Sequence, residues 1–223
     1  MKKQVDKTHY EFSRYVSRQR WASMWHQLDE VLAFEPESVL EIGPGPGVFQ
    51  AVAKRFVPRV ETLDLDPELQ PDHLASAEAM PFEDAAYDVV CAFQMLEHVP
   101  YETSLHIFRD MVRVARKGVV ISLPDARRAW PYSFYIPKLG AVYFHLPLPR
   151  LHPKEHVFDG EHYWEINKAG YALSKIVKDL ENVGGVSISK TYRVDENPYH
   201  RFFVFKKRDG MGRYDSKGAG ISQ

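Results

Sequence analysis

Three glycines separated by prolines, Gly43-Pro44-Gly45-Pro46-Gly47, follow directly on the apolar run Ser38-Val39-Leu40-Glu41-Ile42. A short continuous apolar run reads as a strand buried on both faces. Glycines after it let the backbone turn tightly and approach a ligand with no Cβ in the way. This junction restricts the chain to folds in which a strand feeds a tight loop and then a helix. A helix is expected at 48–56, a second strand at 60–64 and a short third strand at 73–77. Residues 66–72 hold two prolines and are too few for a full helix. The run 87–93 (YDVVCAF) reads as a fully buried fourth strand.

Further on, Leu105, Phe108, Val112 and Ala115 mark a helix that Gly118 would close in the left-handed conformation, before a fifth strand at 119–123. Leu173, Ile176, Val177 and Leu180 mark a later helix ending near Gly184 and Gly185, and 186–194 and 202–206 read as closing strands. Strands alternating with helices imply an α/β fold, a Rossmann-like, doubly wound and mostly parallel sheet. Apolar residues recur at helical spacing over 12–34, so residues 1–35 are expected to form a helical cover on a domain at 36–207. The polar, Gly-rich stretch 208–223 is expected to be disordered.

Charge excludes one large class of partner. Twenty-nine Lys/Arg against 30 Asp/Glu leave a net charge of -1, so there is no global basic field and nucleic acid is not expected. The lone cysteine, Cys91, excludes an intrachain disulfide and a Cys-built zinc site. No secretory h-region is present in the first ten residues, nor a run of the ~20 apolar residues that span a bilayer, so a cytoplasmic location is expected.

In open α/β sheets ligands sit at the carboxyl ends of the strands, where the glycine loop falls. Its spacing is G-x-G-x-G rather than the G-x-G-x-x-G of dinucleotide sites, and Pro44 and Pro46 lack the N–H groups that a pyrophosphate cradle uses. Asp64, at the end of the second strand, is placed to accept hydrogen bonds from ribose hydroxyls. A nucleoside without a pyrophosphate points to S-adenosyl-L-methionine as cofactor and argues against a nicotinamide-dependent oxidoreductase. A non-catalytic S-adenosylmethionine-binding protein is the other alternative.

Four ordered segments resemble the class I S-adenosylmethionine-dependent methyltransferases, specifically the type 11 domain group: 39–48 (VLEIGPGPGV), 63–69 (LDLDPEL), 75–90 (ASAEAMPFEDAAYDVV) and 93–99 (FQMLEHV). The resemblance implies a seven-stranded sheet whose last strand is antiparallel. By position, Gly43, Gly45 and Gly47 would lie against the methionine and ribose portions of the cofactor, with Glu41 near its amino group. Asp64 would hold the ribose, Leu65 and Met80 would pack on adenine, Ala77 and Glu78 would lie at its edge, and Phe93 opens the fourth motif. Two departures stand out. Ser76 occupies a position where the family often has Asp, so Ser76 or Glu78 would receive the adenine amino group, and 64–77 lacks the usual intervening helix.

Glu97 and His98 follow the fourth strand, where residues of this fold face the methyl group. His98 is the better candidate general base because its pKa lies near neutrality. The proline-rich segment 124–165 is expected to be an irregular acceptor lid, with membrane-surface contact and plain packing as alternatives, because its aromatics from Trp130 to Trp164 are interleaved with Arg and Lys. The acceptor is expected to be a small molecule or a glycan- or lipid-linked intermediate. His152, His156 and His162, with Glu155, Asp159 and Glu161, match no strong metal signature, so no metal is expected. On the N-terminal helix, Arg20 is placed to meet the cofactor's carboxylate, with Tyr15 and Trp21 beside it.

Overall fold

The computed structural model describes residues 16–148, 153–158 and 160–208. Seven strands form one sheet: β1 (Ser38–Ile42), β2 (Arg59–Asp64), β3 (His73–Leu74), β4 (Tyr87–Phe93), β5 (Ala115–Pro124), β8 (Val186–Arg193) and β9 (His200–Lys207). Two more, β6 (Ala129–Ile136) and β7 (Gly140–Pro147), make a separate hairpin. The helices are α1 (Arg18–Leu32), α2 (Val48–Ala53), α3 (Tyr101–Val114) and α4 (Leu173–Asn182).

The spatial order in the large sheet is β3-β2-β1-β4-β5-β9-β8. β1 runs parallel to β2 and β4, and only β9 is reversed, pairing antiparallel with β5 and β8. This is the mostly parallel seven-stranded sheet, with its last strand antiparallel, that the sequence led us to expect. The order reverses between β1 and β4, the switch point at which doubly wound sheets open a ligand crevice.

Both faces of the sheet are covered, which is why the central strands read as unbroken apolar runs. Leu40, Val90 and Ile121 point into one core with Ile107, Phe108 and Met111 of α3 and Ile176 of α4. Val39, Val89, Cys91 and Val120, one residue out of phase, point into the other with Val31 of α1 and Phe49 of α2. Ser17 caps α1 by accepting the Arg20 N–H at 3.1 Å. Beyond α4, Gly184 and Gly185 both take positive φ, 84° and 73°, and turn the chain into β8.

Three expectations are corrected. Gly118 does not close α3. That helix passes straight into β5, and Gly118 lies within the strand, where a Cβ would collide with both the Phe205 carbonyl oxygen and the Phe34 ring, so the position demands glycine. The segment 124–165 is also more regular than expected. Trp130, Tyr132 and Phe134 pair across the hairpin with Leu146, Phe144 and Val142, so the aromatics follow the two-residue period of a strand. Pro131 is tolerated because this sheet has only two strands, each with an edge open. The helix after β1 is shorter than expected, ending at Ala53, and 67–69 form a single 3-10 turn. Residues 1–15, part of the expected helical cover, and 209–223, nearly all of the tail expected to be disordered, lie outside the described residues.

Candidate active site

The β1–α2 loop is built by backbone conformation. Gly43, Gly45 and Gly47 have φ of 68°, 53° and 71°, values that residues with a Cβ adopt at a cost, and Gly47 is the N-cap of α2. The loop is tied back to the sheet by the Gly43 N–H on the Leu63 carbonyl at 3.0 Å. Gly43, Asp64, Leu65 and Ala77 line one small cavity at the carboxyl ends of β1 and β2, together with Ile42, Leu63, Ala75 and Met95. The 64–77 connection that lacks a helix thus forms a wall of the cavity. Ile42, Leu63, Ala75 and Met95 are the lining positions that the sequence did not single out. Met95 could have been found from its place two residues past the end of β4.

Asp64 is half-buried. Its carboxylate accepts the Asp66 N–H at 2.8 Å, and desolvation holds its pKa above the ordinary range despite that bond. Glu41 is buried in the central strand, 3% exposed, and its pKa is pushed up to about 8 by desolvation, which a hydrogen bond from the Gln50 backbone only partly opposes. One of its oxygens, Oε2, has no hydrogen-bond partner.

Other expected positions are engaged elsewhere. Met80 is core and donates its N–H to Asp110. Ser76 Oγ accepts the Glu78 N–H at 3.2 Å, and Glu78 is exposed. Phe93 packs between Phe49 and Phe202, at centroid distances of 5.2 and 6.1 Å. Arg20 is half-buried on α1, and its charge adds to burial in holding the His200 imidazole neutral. Tyr15 lies outside the described residues, and Trp21 is exposed.

Beyond β4 a 3-10 turn, Leu96–His98, carries Glu97 and His98. The end of the 124–165 segment returns directly onto this turn, where the Tyr163 N–H reaches the Glu97 carbonyl at 2.8 Å and Trp164 packs edge-on against Tyr101. His98 and His162 are thereby brought edge to face, with ring centroids 5.0 Å apart at 81°. One donor atom from each of Glu97, His98 and His162 lies within 4.8 Å of the other two. Glu97 is fully buried, neither carboxylate oxygen has a hydrogen-bond partner from another group, and desolvation pushes its pKa up to about 7.

His98 Nδ1 lies 3.1 Å from the Glu161 carbonyl, and His162 Nδ1 lies 3.1 Å from Glu165 Oε1. Glu165 also receives the Tyr199 hydroxyl at 2.9 Å and faces Lys168 at 3.7 Å. Among the described residues, His156 is bound to the His162 carbonyl instead of joining this cluster; His152 and Asp159 lie outside the described residues.

Glu165 and Tyr199 also line a larger cavity, about 430 Å³, at the foot of the hairpin. Arg127, Arg128, Lys154 and Lys168 give its wall a positive character, while Asp125 is neutralised by Arg193 and Arg201. The hairpin is pinned beside it by His145 Nε2 on the Asp195 carbonyl at 3.0 Å.

The chain is 32% identical over 127 residues to a ubiquinone biosynthesis O-methyltransferase of Xanthomonas oryzae pv. oryzae, an overlap of 50% of this chain and 52% of that protein. It therefore spans about half the length of that relative. A protein of the same description from Aeromonas salmonicida is 25% identical over 175 residues, 71% of each. Among solved structures, the fold is similar to that of Burkholderia thailandensis 1,6-didemethyltoxoflavin-N1-methyltransferase with bound 1,6-didemethyltoxoflavin and S-adenosylhomocysteine. There the TM-score is 0.60 at 14% identity, covering 91% of this chain and 85% of that one. It is also similar to the N-methyltransferase NodS of Bradyrhizobium japonicum with S-adenosyl-l-homocysteine, with TM-score 0.57, 11% identity and coverage of 89% and 92%. The methyltransferase domain family model matches residues 12–172, most of the chain and every element from β1 to the hairpin and its return onto Glu97, and the chain belongs to that family.

Proposed function

We propose that this chain is an S-adenosyl-L-methionine-dependent methyltransferase acting on a small molecule or a glycan- or lipid-linked intermediate. The observation that carries the reading is the convergence of the positive-φ Gly43 turn and the Asp64 carboxylate on one cavity at the switch point of the sheet. Asp64 would accept from the ribose hydroxyls, and the buried Glu41 would sit near the cofactor's amino group. The prolines of the loop remove two N–H donors that a pyrophosphate would use, so a nicotinamide dinucleotide is the weaker candidate.

Methyl transfer from a sulfonium is an in-line displacement, and holding the acceptor at near-attack distance away from water supplies much of the rate. Glu97 and His98 would stand on the acceptor side. The cavity of about 430 Å³ with its Arg and Lys wall supports an acceptor that carries negative charge. The hairpin would cover it. Its exposed face of Trp130, Tyr132, Phe134, Phe144 and Leu146 also suits weak contact with a membrane surface, where a lipid-linked acceptor would reside. Among the described residues no helix is long and apolar enough to cross a membrane, which fits the cytoplasmic location that we propose.

Thermal unfolding with S-adenosylhomocysteine, S-adenosylmethionine, NAD or no ligand tests the cofactor. A ligand at ~100 times its Kd adds about 2.7 kcal/mol, which raises Tm by roughly 5–10 °C in a chain of this size. A rise with the S-adenosyl compounds alone is expected; a rise with NAD alone would overturn the reading. Transfer of labelled methyl to any member of an acidic small-molecule panel then separates an enzyme from a binding protein.

A further inference from the structure

We propose that Glu97, His98 and His162 form a site for one divalent transition-metal ion, whose open positions take an oxygen of the methyl acceptor. The ion-binding half stands on the cluster's own geometry, and only the acceptor half rests on the methyltransferase reading.

A carboxylate that is fully buried with no hydrogen bond from another group is costly, and native proteins pair such groups or use them to coordinate metals. Glu97 is that carboxylate, and two imidazoles offer donor atoms within 4.8 Å of it. Each imidazole has one ring nitrogen on a carbonyl or carboxylate, as metal-bound histidines usually do. Nδ1 of His98 faces the Glu161 carbonyl, and Nδ1 of His162 faces Glu165, itself held by Tyr199 and Lys168. A proton on Nδ1 puts the lone pair of each neutral ring on Nε2. A shared ion at about 2.1 Å from each donor needs donors roughly 3–3.4 Å apart, so binding would draw the three together by about 1 Å.

Two imidazoles and one carboxylate suit zinc, manganese, iron or cobalt better than calcium or magnesium. Three protein ligands leave positions open, the arrangement of catalytic rather than structural sites. An acceptor hydroxyl on the ion would lose its proton to water more readily than a free one. Its oxygen lone pair would then form the O–CH3 bond while the S–CH3 bond breaks, the electron pair staying on sulfur as S-adenosylhomocysteine forms. His98 is then a ligand rather than the general base suggested by its position in the sequence.

The test is titration of the chelator-treated full chain with Co2+, read by stoichiometry and by visible ligand-field absorption, with S-adenosylhomocysteine affinity measured on the same samples. One Co2+ per chain is expected, displaced by Zn2+. Glu97→Gln and His162→Ala should each weaken binding by at least about 100-fold, and Glu165→Gln by about 10-fold or more. The exposed His106→Ala should change nothing. His162→Gln stands in if His162→Ala loses its fold. Absence of stoichiometric Co2+ binding by the wild type, or equal affinity in the Glu97 and His162 variants, overturns the proposal. Failure to bind S-adenosylhomocysteine would instead remove the methyltransferase reading and leave the cobalt result to stand by itself.

Discussion

A Cβ added to Gly43 would lie 2.7 Å from Cγ of Met95, which lines the same small cavity at the ends of β1 and β2. The turn and the wall are therefore fitted to each other, in addition to the demand that φ of +68° makes on the residue at 43. Gly43→Ala should lower stability by about 1–3 kcal/mol through strain and overpacking, and weaken S-adenosylhomocysteine at least 10-fold by moving Met95. Gly47→Ala carries the backbone strain alone, since φ is +71° and a Cβ placed there would meet nothing within 4 Å. It should cost less on both counts. Equal cofactor affinities in the two variants would show that Met95 does not shape the cavity.

Asp64 has one carboxylate oxygen on the Asp66 N–H and is only half-buried, so its removal leaves the core untouched. Hydrogen bonds to a charged acceptor contribute about 1.5–3 kcal/mol. Asp64→Ala should therefore raise the Kd for S-adenosylhomocysteine by roughly 10–100-fold, with Tm of the free protein nearly unchanged. Calorimetric titration reads both effects, and an affinity within twofold of wild type would exclude Asp64 from the ribose position.

Glu41 gives the fold a pH dependence of defined sign. Unfolded, it titrates near its ordinary 4.5; folded, burial pushes it up to about 8. Between those values the native state holds a proton that the unfolded state has released. Stability contributed by this group therefore falls as pH rises from about 4.5 to 8 and is flat above. The amplitude is of the order of a few kcal/mol, since each tenfold difference in proton affinity between the two states corresponds to about 1.4 kcal/mol. Glu41→Gln keeps the shape and removes the titration, so its Tm should decline less than wild type between pH 5 and 8. Parallel Tm–pH curves would show that Glu41 is not the group responsible.

The sheet was legible because β1 and β4 are buried on both faces and so appear as unbroken apolar runs, and because Gly43, Gly45 and Gly47 mark the only sharp turn that such a strand can take into a helix. Asp64 was legible from its place at a strand end. What the sequence did not disclose depended on contacts between distant segments. Gly118 carries the same local signature as a helix-closing glycine. Only the Phe34 ring and the Phe205 carbonyl, both remote in sequence, explain why a strand position there takes glycine. The alternation of Trp130, Tyr132, Phe134 and Ile136 was present but interrupted by Pro131 and Pro137, which argue against a strand unless its edge is open. His162 was visible as a histidine, but its meeting with His98 exists only because the Tyr163 N–H docks on the Glu97 carbonyl.

The hairpin yields the last expectation. Tyr132 and Phe144 stack across it with centroids 5.1 Å apart at 11°, yet they are 45% and 43% exposed, and Trp130 beside them is 55% exposed. Exposed apolar groups on one face mark interaction surfaces more often than structural ones, and substitutions at such positions usually change stability by within about 0.5 kcal/mol. The combined variant Trp130→Ser, Tyr132→Ser, Phe144→Ser should thus keep its Tm to within a few degrees and its affinity for S-adenosylhomocysteine. None of the three residues lines the cavity of Gly43 and Asp64, where we propose that the cofactor binds. Its KM for the acceptor should rise about 10-fold or more if the hairpin covers the acceptor, because that contact is made in the ground state and the transition state alike. An unchanged KM with a fall in kcat would place the hairpin in the chemical step instead. Unchanged kinetics, joined to a loss of sedimentation with anionic lipid vesicles, would assign the aromatic face to membrane contact alone.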